Sequence, residues 1–227
     1  MNTSMKSNKQ LSTALTYVVL VLGSIIMIFP FVWMILTSFK TQAEAMAIPP
    51  QLLPSSWNFD NFVTALQSLP FVNLYVNTAL LILFRVLCAV IFSSMAGYAF
   101  AKLNFPCKKL LFGIVLIQMM LPSQIFITPQ YLMLARMGLT NSIFALVFPG
   151  LVSAFGTFFL RQTYLGIPNE IAEAAYLDGC NKWQTFTKVM FPLTGSSMAA
   201  LGIFTAVFAY SDLMWPLICN TDLNMMT

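Results

Sequence analysis

An all-α, polytopic membrane protein with five transmembrane helices is the fold class this 227-residue sequence predicts. Three observations point to it. Apolar residues make up 59% of the chain and charged residues 8%, whereas an ordinary soluble domain is about one quarter charged. The mean hydropathy is +0.80. The apolar residues also fall into five long blocks, each close to or above the ~20 residues that cross a ~30 Å hydrocarbon core. One transmembrane domain over 1–227 follows.

The first block, 14–39, carries no charge. Ala43-Glu44-Ala45 after it has the small residues of a cleavage site, but the block is too long for a signal-peptide core, so it reads as an uncleaved span. The second block, 74–101, is interrupted only by Arg85, and the third covers 110–134. The fourth is 142–160; the fifth, 189–217, carries Asp212 near its far end. Lys6, Lys9, Lys102, Lys108, Lys109, Arg161, Lys182 and Lys188 fall on one side of these spans, and Lys40 and Arg136 on the other. The basic-rich side is the cytoplasm, which predicts a cytoplasmic N-terminus in a cell membrane and, after five spans, an outside C-terminus.

The connections differ in kind. The outer loop, 41–71, has turn residues at Pro49, Pro50, Pro54, Ser55 and Ser56. Asn58 can cap a short helix there whose Phe59, Phe62, Val63 and Leu66 follow an i, i+3, i+4, i+7 pattern. A surface cover and a docking site are both open for it. Met137 to Asn141 reads as a tight outer hairpin. The inner loop, 161–188, carries more information. Pro168 suits a helix first turn, Glu170 and Glu173 suit the positive end of its dipole, and Gly179 suits the left-handed residue that ends it. The spacing predicts a three-turn helix, a break at Gly179, and a second helix from Asn181 into the fifth span. Ile171, Ala174, Ala175 and Asp178 share one face of the first helix, kept slim by alanine. Docking into a groove of another protein and simple connection of two spans are both open on these grounds.

Composition excludes several chemistries. With no histidine there is no Ser-His-Asp triad and no HExxH site, and no P-loop string occurs. Cys88, Cys107, Cys180 and Cys219 have no metal-ligand spacing and read as packing residues. No metal site, no catalytic residue and no nucleic-acid partner is predicted. Pro30, Pro122 and Pro149-Gly150 mark places where helices bend. Gln118, Ser123 and Gln124 flank Pro122, either along a translocation path or in inter-helix hydrogen bonds. Ser93, Gly97 and Ala101, and again Ala199, Gly202 and Ala206, form small-residue stripes that read as packing seams. Arg85 at mid-membrane costs about 2.5–3.5 kcal/mol on insertion scales, so it must face protein or water. Pairing with Asp212, lining of a pathway, and snorkelling are the three accounts open to it.

Glu173-Ala174-Ala175, then Gly179, then Pro192-Leu193 resembles the EAA loop of ABC importer permeases, and the string FFLRQTYLGIPNEIAEAAYLDGCNKWQTFTKVMFPL is similar to the carbohydrate-uptake branch of that family. MMLPSQIFITPQYLMLARMGLTNS, YAFAKLNFPCKKLLF, PPQLLPSSWNFDNF and the stretch Tyr210 to Pro216 continue the resemblance over most of the chain. The resemblance implies a maltose-permease-like subunit, with the helix over 168–178 as the coupling helix. Glu173, Ala174, Ala175, Asp178, Gly179 and Pro192 would carry the contact to an ATPase, and Arg85, Gln118, Gln124 and Asp212 are the candidates for the translocation path. It implies a second permease subunit, two ATPase subunits and an extracytoplasmic solute-binding protein as partners, alongside membrane lipid and a carbohydrate substrate. ATP is used by the partner, so this chain binds no cofactor and is not itself an enzyme. Relatives have six spans, so the family's sixth is expected to be missing here. The rival function is an ion-coupled secondary carrier of a small solute, for which Arg85 alone supplies a mid-membrane coupler. A membrane enzyme, lacking histidine and any intramembrane carboxylate cluster, is remote.

Overall fold

The computed structural model describes the backbone of residues 2–227 and the side chains of Thr13 and of residues 15–227. Lys6, Lys9 and Ala14, used above, lie outside the described side chains. Thirteen α-helices account for most of the described residues, joined by short 3₁₀ and π-helical turns. The chain divides into two units, Met1–Leu69 and Pro70–Thr227.

The first unit begins with α1, Asn2–Ser38, whose stretch Leu15–Ser38 is long and apolar enough to cross a bilayer. Pro30 was expected to interrupt this span, but α1 runs through it unbroken. Its apolar side chains, Leu20, Met27 and Phe31 among them, are exposed. The loop after it folds onto the end of α1. Phe39 meets the rings of Trp57, Phe59 and Phe62 at 5.1–5.3 Å. Asn61 Nδ2 donates at 2.9 Å to the Ser38 and Lys40 carbonyls, satisfying acceptors that the helix end leaves free. Lys40 is buried, donating to the Gln51 carbonyl, with its ammonium 4.5 Å from the Trp33 ring centroid. α2, Gln42–Ala45, opens on a capping box between Thr41 and Glu44. In α3, Asp60–Ser68, the Asn58 side chain accepts the Asp60 N–H at 3.1 Å, while Val63 and Leu66 stay exposed.

The second unit is organised by α4, Phe71–Lys102, which packs along α8, Ala154–Gly166, and α12, Gly195–Tyr210. Gly97 and Gly202, one from each small-residue stripe, lie on these seams, while Ala199 is exposed. A Cβ on Gly97 would stand 2.9 Å from the Arg161 backbone nitrogen, and one on Gly202 would meet Val86 at 3.4 Å. Only residues without side chains let backbones come this close. Tyr98, Leu160, Tyr164, Phe186, Met190 and Leu201 form the core below that seam.

The three remaining apolar blocks do not form straight helices. α5, Lys108–Met120, and the pieces over Ser123–Arg136, which end in α6, Ile127–Arg136, meet at 103°. Pro122 has no N–H to continue the ladder and drives Leu121 to extended backbone (ψ 135°), so the helix ends there. α7, Ile143–Val147, and the 3₁₀ turn Phe148–Gly150 meet α8 at 47°, where Ser153 Oγ restarts the helix by accepting the Gly156 N–H at 2.9 Å. The run expected over 189–217 differs most. α10, Lys182–Gln184, passes through a π-helical turn, Thr185–Met190, into α11, Phe191–Leu193, then bends 75° at Thr194 into α12. The block's far end is a separate helix, α13, Met214–Cys219. Counting each bent pair as one, up to five spans among the described residues are long and apolar enough to cross a membrane. The turn at 137–141 has positive φ at Gly138 and Asn141, and Asn141 Oδ1 accepts the Thr221 and Asp222 N–H groups at 2.7 and 3.1 Å.

Candidate functional site

Two constructions stand out in the second unit. The first is α9, Asn169–Leu177, between α8 and α10. Pro168 is its N-cap, one position ahead of the first-turn place expected. Its far end is a Schellman closure, with Gly179 N–H bonding the Tyr176 carbonyl at 3.0 Å and Cys180 N–H the Ala175 carbonyl at 2.9 Å. Gly179 adopts φ +84°, as the sequence predicted, and Asn181 then starts α10 through a capping box with Gln184. The helix is therefore stopped at both ends within a few residues and held at a fixed angle.

Its faces differ from expectation at one residue. Ala172 and Ala175 turn inward, 7% and 6% exposed, with Ala172 against the core of Tyr98, Tyr164 and Phe186. Ala175 is therefore not available to a partner; its small side chain serves the helix's own seat. Ile171, Glu173, Ala174 and Asp178 are exposed. Leu177, which the sequence reading passed over, is 89% exposed and joins Ile171 and Ala174 in an outward stripe at three-residue spacing. The sequence pattern predicts a face through Ala175 and Asp178; the i+3 spacing of Ile171, Ala174 and Leu177 is equally present in it. Pro192 is exposed in α11, apart from this helix and next to the bend at Thr194. Lys102 was used only for orientation, yet its ammonium bonds the Ile167 carbonyl and Asn169 Oδ1 at the entrance to α9.

The second construction is a cavity of about 950 Å³ that gathers all four pathway candidates, Arg85, Gln118, Gln124 and Asp212, into one wall system. The 103° bend at Pro122 turns Gln118, Ser123 and Gln124 into it, and α6 adds Gln130. Arg85 pairs with Asp212, Nη1 to Oδ2 at 3.0 Å. Its Nε and Nη2 both donate to the Leu146 carbonyl, at 3.1 and 2.7 Å. The pair therefore ties α4 to the end of α7 and to the entrance of α13, where Asp212 Oδ1 accepts the Trp215 N–H at 3.3 Å. Trp215 Nε1 donates to the Ala145 carbonyl at 2.9 Å, closing the ring of contacts. Gly150 was read as a hinge; a Cβ there would stand 2.9 Å from Arg85 Cγ and Cδ, so its bareness makes room for the arginine stem. The partners of Trp215 and of the Leu146 carbonyl lie 70 and 61 residues away, so local spacing does not reveal them.

The profile of the family described as "Binding-protein-dependent transport system inner membrane component" matches residues 89–226. The arabinooligosaccharides transport system permease protein AraQ of Halalkalibacterium halodurans is 33% identical over 205 residues, covering 89% of this chain and 74% of that protein. The diacetylchitobiose uptake system permease protein NgcG of Streptomyces coelicolor is 28% identical, covering 92% and 70%. The sn-glycerol-3-phosphate transport system permease protein UgpE of Escherichia coli is 27% identical, covering 98% and 82%. Among solved structures, a bacterial ABC transporter involved in the import of the acidic polysaccharide alginate superposes with a TM-score of 0.79 at 21% identity, covering 96% of this chain and 77% of that one. At that identity the likeness bears on the fold alone.

Proposed function

The chain belongs to the family of binding-protein-dependent transport system inner membrane components, and from that premise we propose that it is the permease subunit of an ATP-binding-cassette importer for a carbohydrate, an oligosaccharide in particular. The observation that carries the reading is α9. It is a short helix, stopped at both ends and clamped to the core by Ala172 and Ala175, that presents Ile171, Ala174 and Leu177 outward beside Glu173. A rigid helix with an unpartnered apolar stripe suits a groove in another protein. The groove belongs to one of two ATPase subunits, where Glu173 meets an arginine or lysine. ATP is bound and hydrolysed there, and this chain binds no cofactor of its own. A second permease subunit completes the pathway and an extracytoplasmic solute-binding protein delivers the sugar. The basic-rich loops, α9 among them, lie in the cytoplasm together with the N-terminus.

Thiol crosslinking from Ala174→Cys in the assembled importer tests this directly. The expected product joins this chain to an ATPase subunit, and sugar uptake into vesicles follows ATP. Crosslinks that never reach an ATPase, with uptake that follows an imposed ion gradient, would replace this reading with that of a secondary carrier.

A further inference from the structure

Family membership leaves open whether the sugar is neutral or anionic. Resting on the carbohydrate reading above, we propose that the cavity around Arg85 selects uncharged glycans and rejects those bearing phosphate or carboxylate. Arg85 and Asp212 are the charged residues among its lining, and they neutralise each other at 3.0 Å. The guanidinium is also committed through Nε and Nη2 to the Leu146 carbonyl. Exposure within the pair is unequal: the Arg85 side chain is 9% exposed and that of Asp212 27%. The carboxylate is thus the more accessible charge of the pair, and no guanidinium stands free of it in the lining. A phosphate or uronate there must shed water without gaining a free positive partner, and this balance is unfavourable for a charge.

A neutral sugar faces the opposite situation. Gln118, Ser123, Gln124, Gln130 and Ser153 line the same space with amides and hydroxyls, which both donate and accept. Sugar hydroxyls do the same. Phe155 and Phe204, edge to face at 6.3 Å, add an apolar surface for the C–H face of a ring. A volume of about 950 Å³ is at the upper end of the roughly 300–1,000 Å³ of small-molecule sites, room for more than one sugar ring.

The test uses the complete importer, with both permeases, the ATPase pair and the binding protein, in vesicles supplied with ATP. The probes are a pool of neutral oligosaccharides from arabinan, chitin and starch and a pool of uronate oligomers of the same lengths, with entry read by mass spectrometry. Wild type is expected to admit neutral members and to discriminate against the uronate pool by about tenfold or more. Asp212→Asn keeps the size of the side chain and its Oδ1 acceptor for the Trp215 N–H but leaves an uncompensated cation, and the uronate-to-neutral ratio is expected to rise about tenfold in assembled complexes. Adding Arg85→Gln to it restores neutrality and is expected to return the ratio to that of wild type. Uronates entering wild type as readily as neutral sugars, or a ratio that Asp212→Asn leaves unmoved in an assembled complex, overturns the proposal and leaves carbohydrate import standing. ATP-dependent uptake of a non-sugar solute, with neither pool entering, overturns both. A wild-type ratio near one overturns the proposal even where a variant fails to assemble, and the shift in Asp212→Asn places the selection in the cavity rather than in the binding protein.

Discussion

Lys102 Nζ stands 2.6 Å from the Ile167 carbonyl oxygen and 2.6 Å from Asn169 Oδ1, so the last residue of α4 holds both the exit of α8 and the entrance of α9. One ammonium thus joins α4 to the junction of α8 and α9, more than sixty residues away in sequence. This point and the packing of Ala172 against Tyr98 and Tyr164 fasten α9 to the central helix.

Lys102→Met is therefore expected to loosen the link without emptying the core. Hydrogen bonds from a charged donor contribute about 1.5–3 kcal/mol, and solvent screening at this half-exposed site reduces that to about 1 kcal/mol. The assembled importer should keep most of its ATPase activity while sugar moved per ATP falls severalfold, read side by side in proteoliposomes. Lys102→Arg, which keeps the charge, should retain more coupling than Lys102→Met. Equal loss in both variants, or no loss in either, would show that the contact transmits nothing.

The α4–α8 seam gives a second prediction. A Cβ on Gly156 would stand 2.4 Å from Ser93 Oγ and 3.0 Å from Ser93 Cβ. Gly156→Ala is thus expected to destabilise the chain by about 1–3 kcal/mol through overpacking. Ser93→Ala in the same chain should recover part of that, because the hydroxyl is removed while the Cβ remains, and Ser93→Gly should recover more. Gly97→Ala should cost more than Gly156→Ala, since its obstacle is the backbone at Leu160 and Arg161, which has no rotamer to change. Unfolding in detergent by denaturant, run as a double-mutant cycle, measures these terms.

What the sequence made legible follows the range of the forces involved. The Gly179 stop and the small residues Gly97 and Gly202 depend on local spacing and sit where that spacing placed them, whereas three of the five apolar blocks are bent or split. Pro122 announced a bend but not an angle of 103°, because the angle depends on what Gln118 and Gln124 turn toward. Pro30 carries the same helix-breaking chemistry and breaks nothing. The pairing of Arg85 with Asp212 was one of three open accounts because the residues are 127 positions apart. The inward turn of Ala175 was missed for a related reason, since a short helix with small residues on two sides does not reveal which side meets its own chain.

The loop between α1 and α3 supplies a pH prediction. Hydrogen bonds from Ser55, followed by those from Thr41, hold the Glu44 carboxyl below the usual carboxylate range. A group with its folded pKa depressed contributes stability that is full above the unfolded value, about 4.3, and is lost as pH falls through the folded one. Opening of the segment 41–59, followed by limited proteolysis from pH 6 downward, should therefore increase only below about pH 4. Glu44→Gln should remove that pH dependence. A rise in cleavage already under way near neutrality would show that another group controls the loop.

Gly179 separates backbone geometry from side-chain contact at the end of α9. Its φ is +84°, and an added Cβ would meet no atom within 4 Å, so any cost of substitution comes from the left-handed conformation alone. That conformation costs an ordinary L-residue about 1–2 kcal/mol, whereas asparagine visits it routinely. Gly179→Asn should keep most of the transport rate. Gly179→Val, β-branched and stiff, should lose most of it while the thermal stability of the purified chain changes little, because the strain is relieved by re-aiming α9. The crosslink from Ala174→Cys to an ATPase subunit should weaken in Gly179→Val and persist in Gly179→Asn. If valine and asparagine behave alike, the left-handed turn is not what aims the helix, and the apolar stripe of Ile171, Ala174 and Leu177 must find its groove by another constraint.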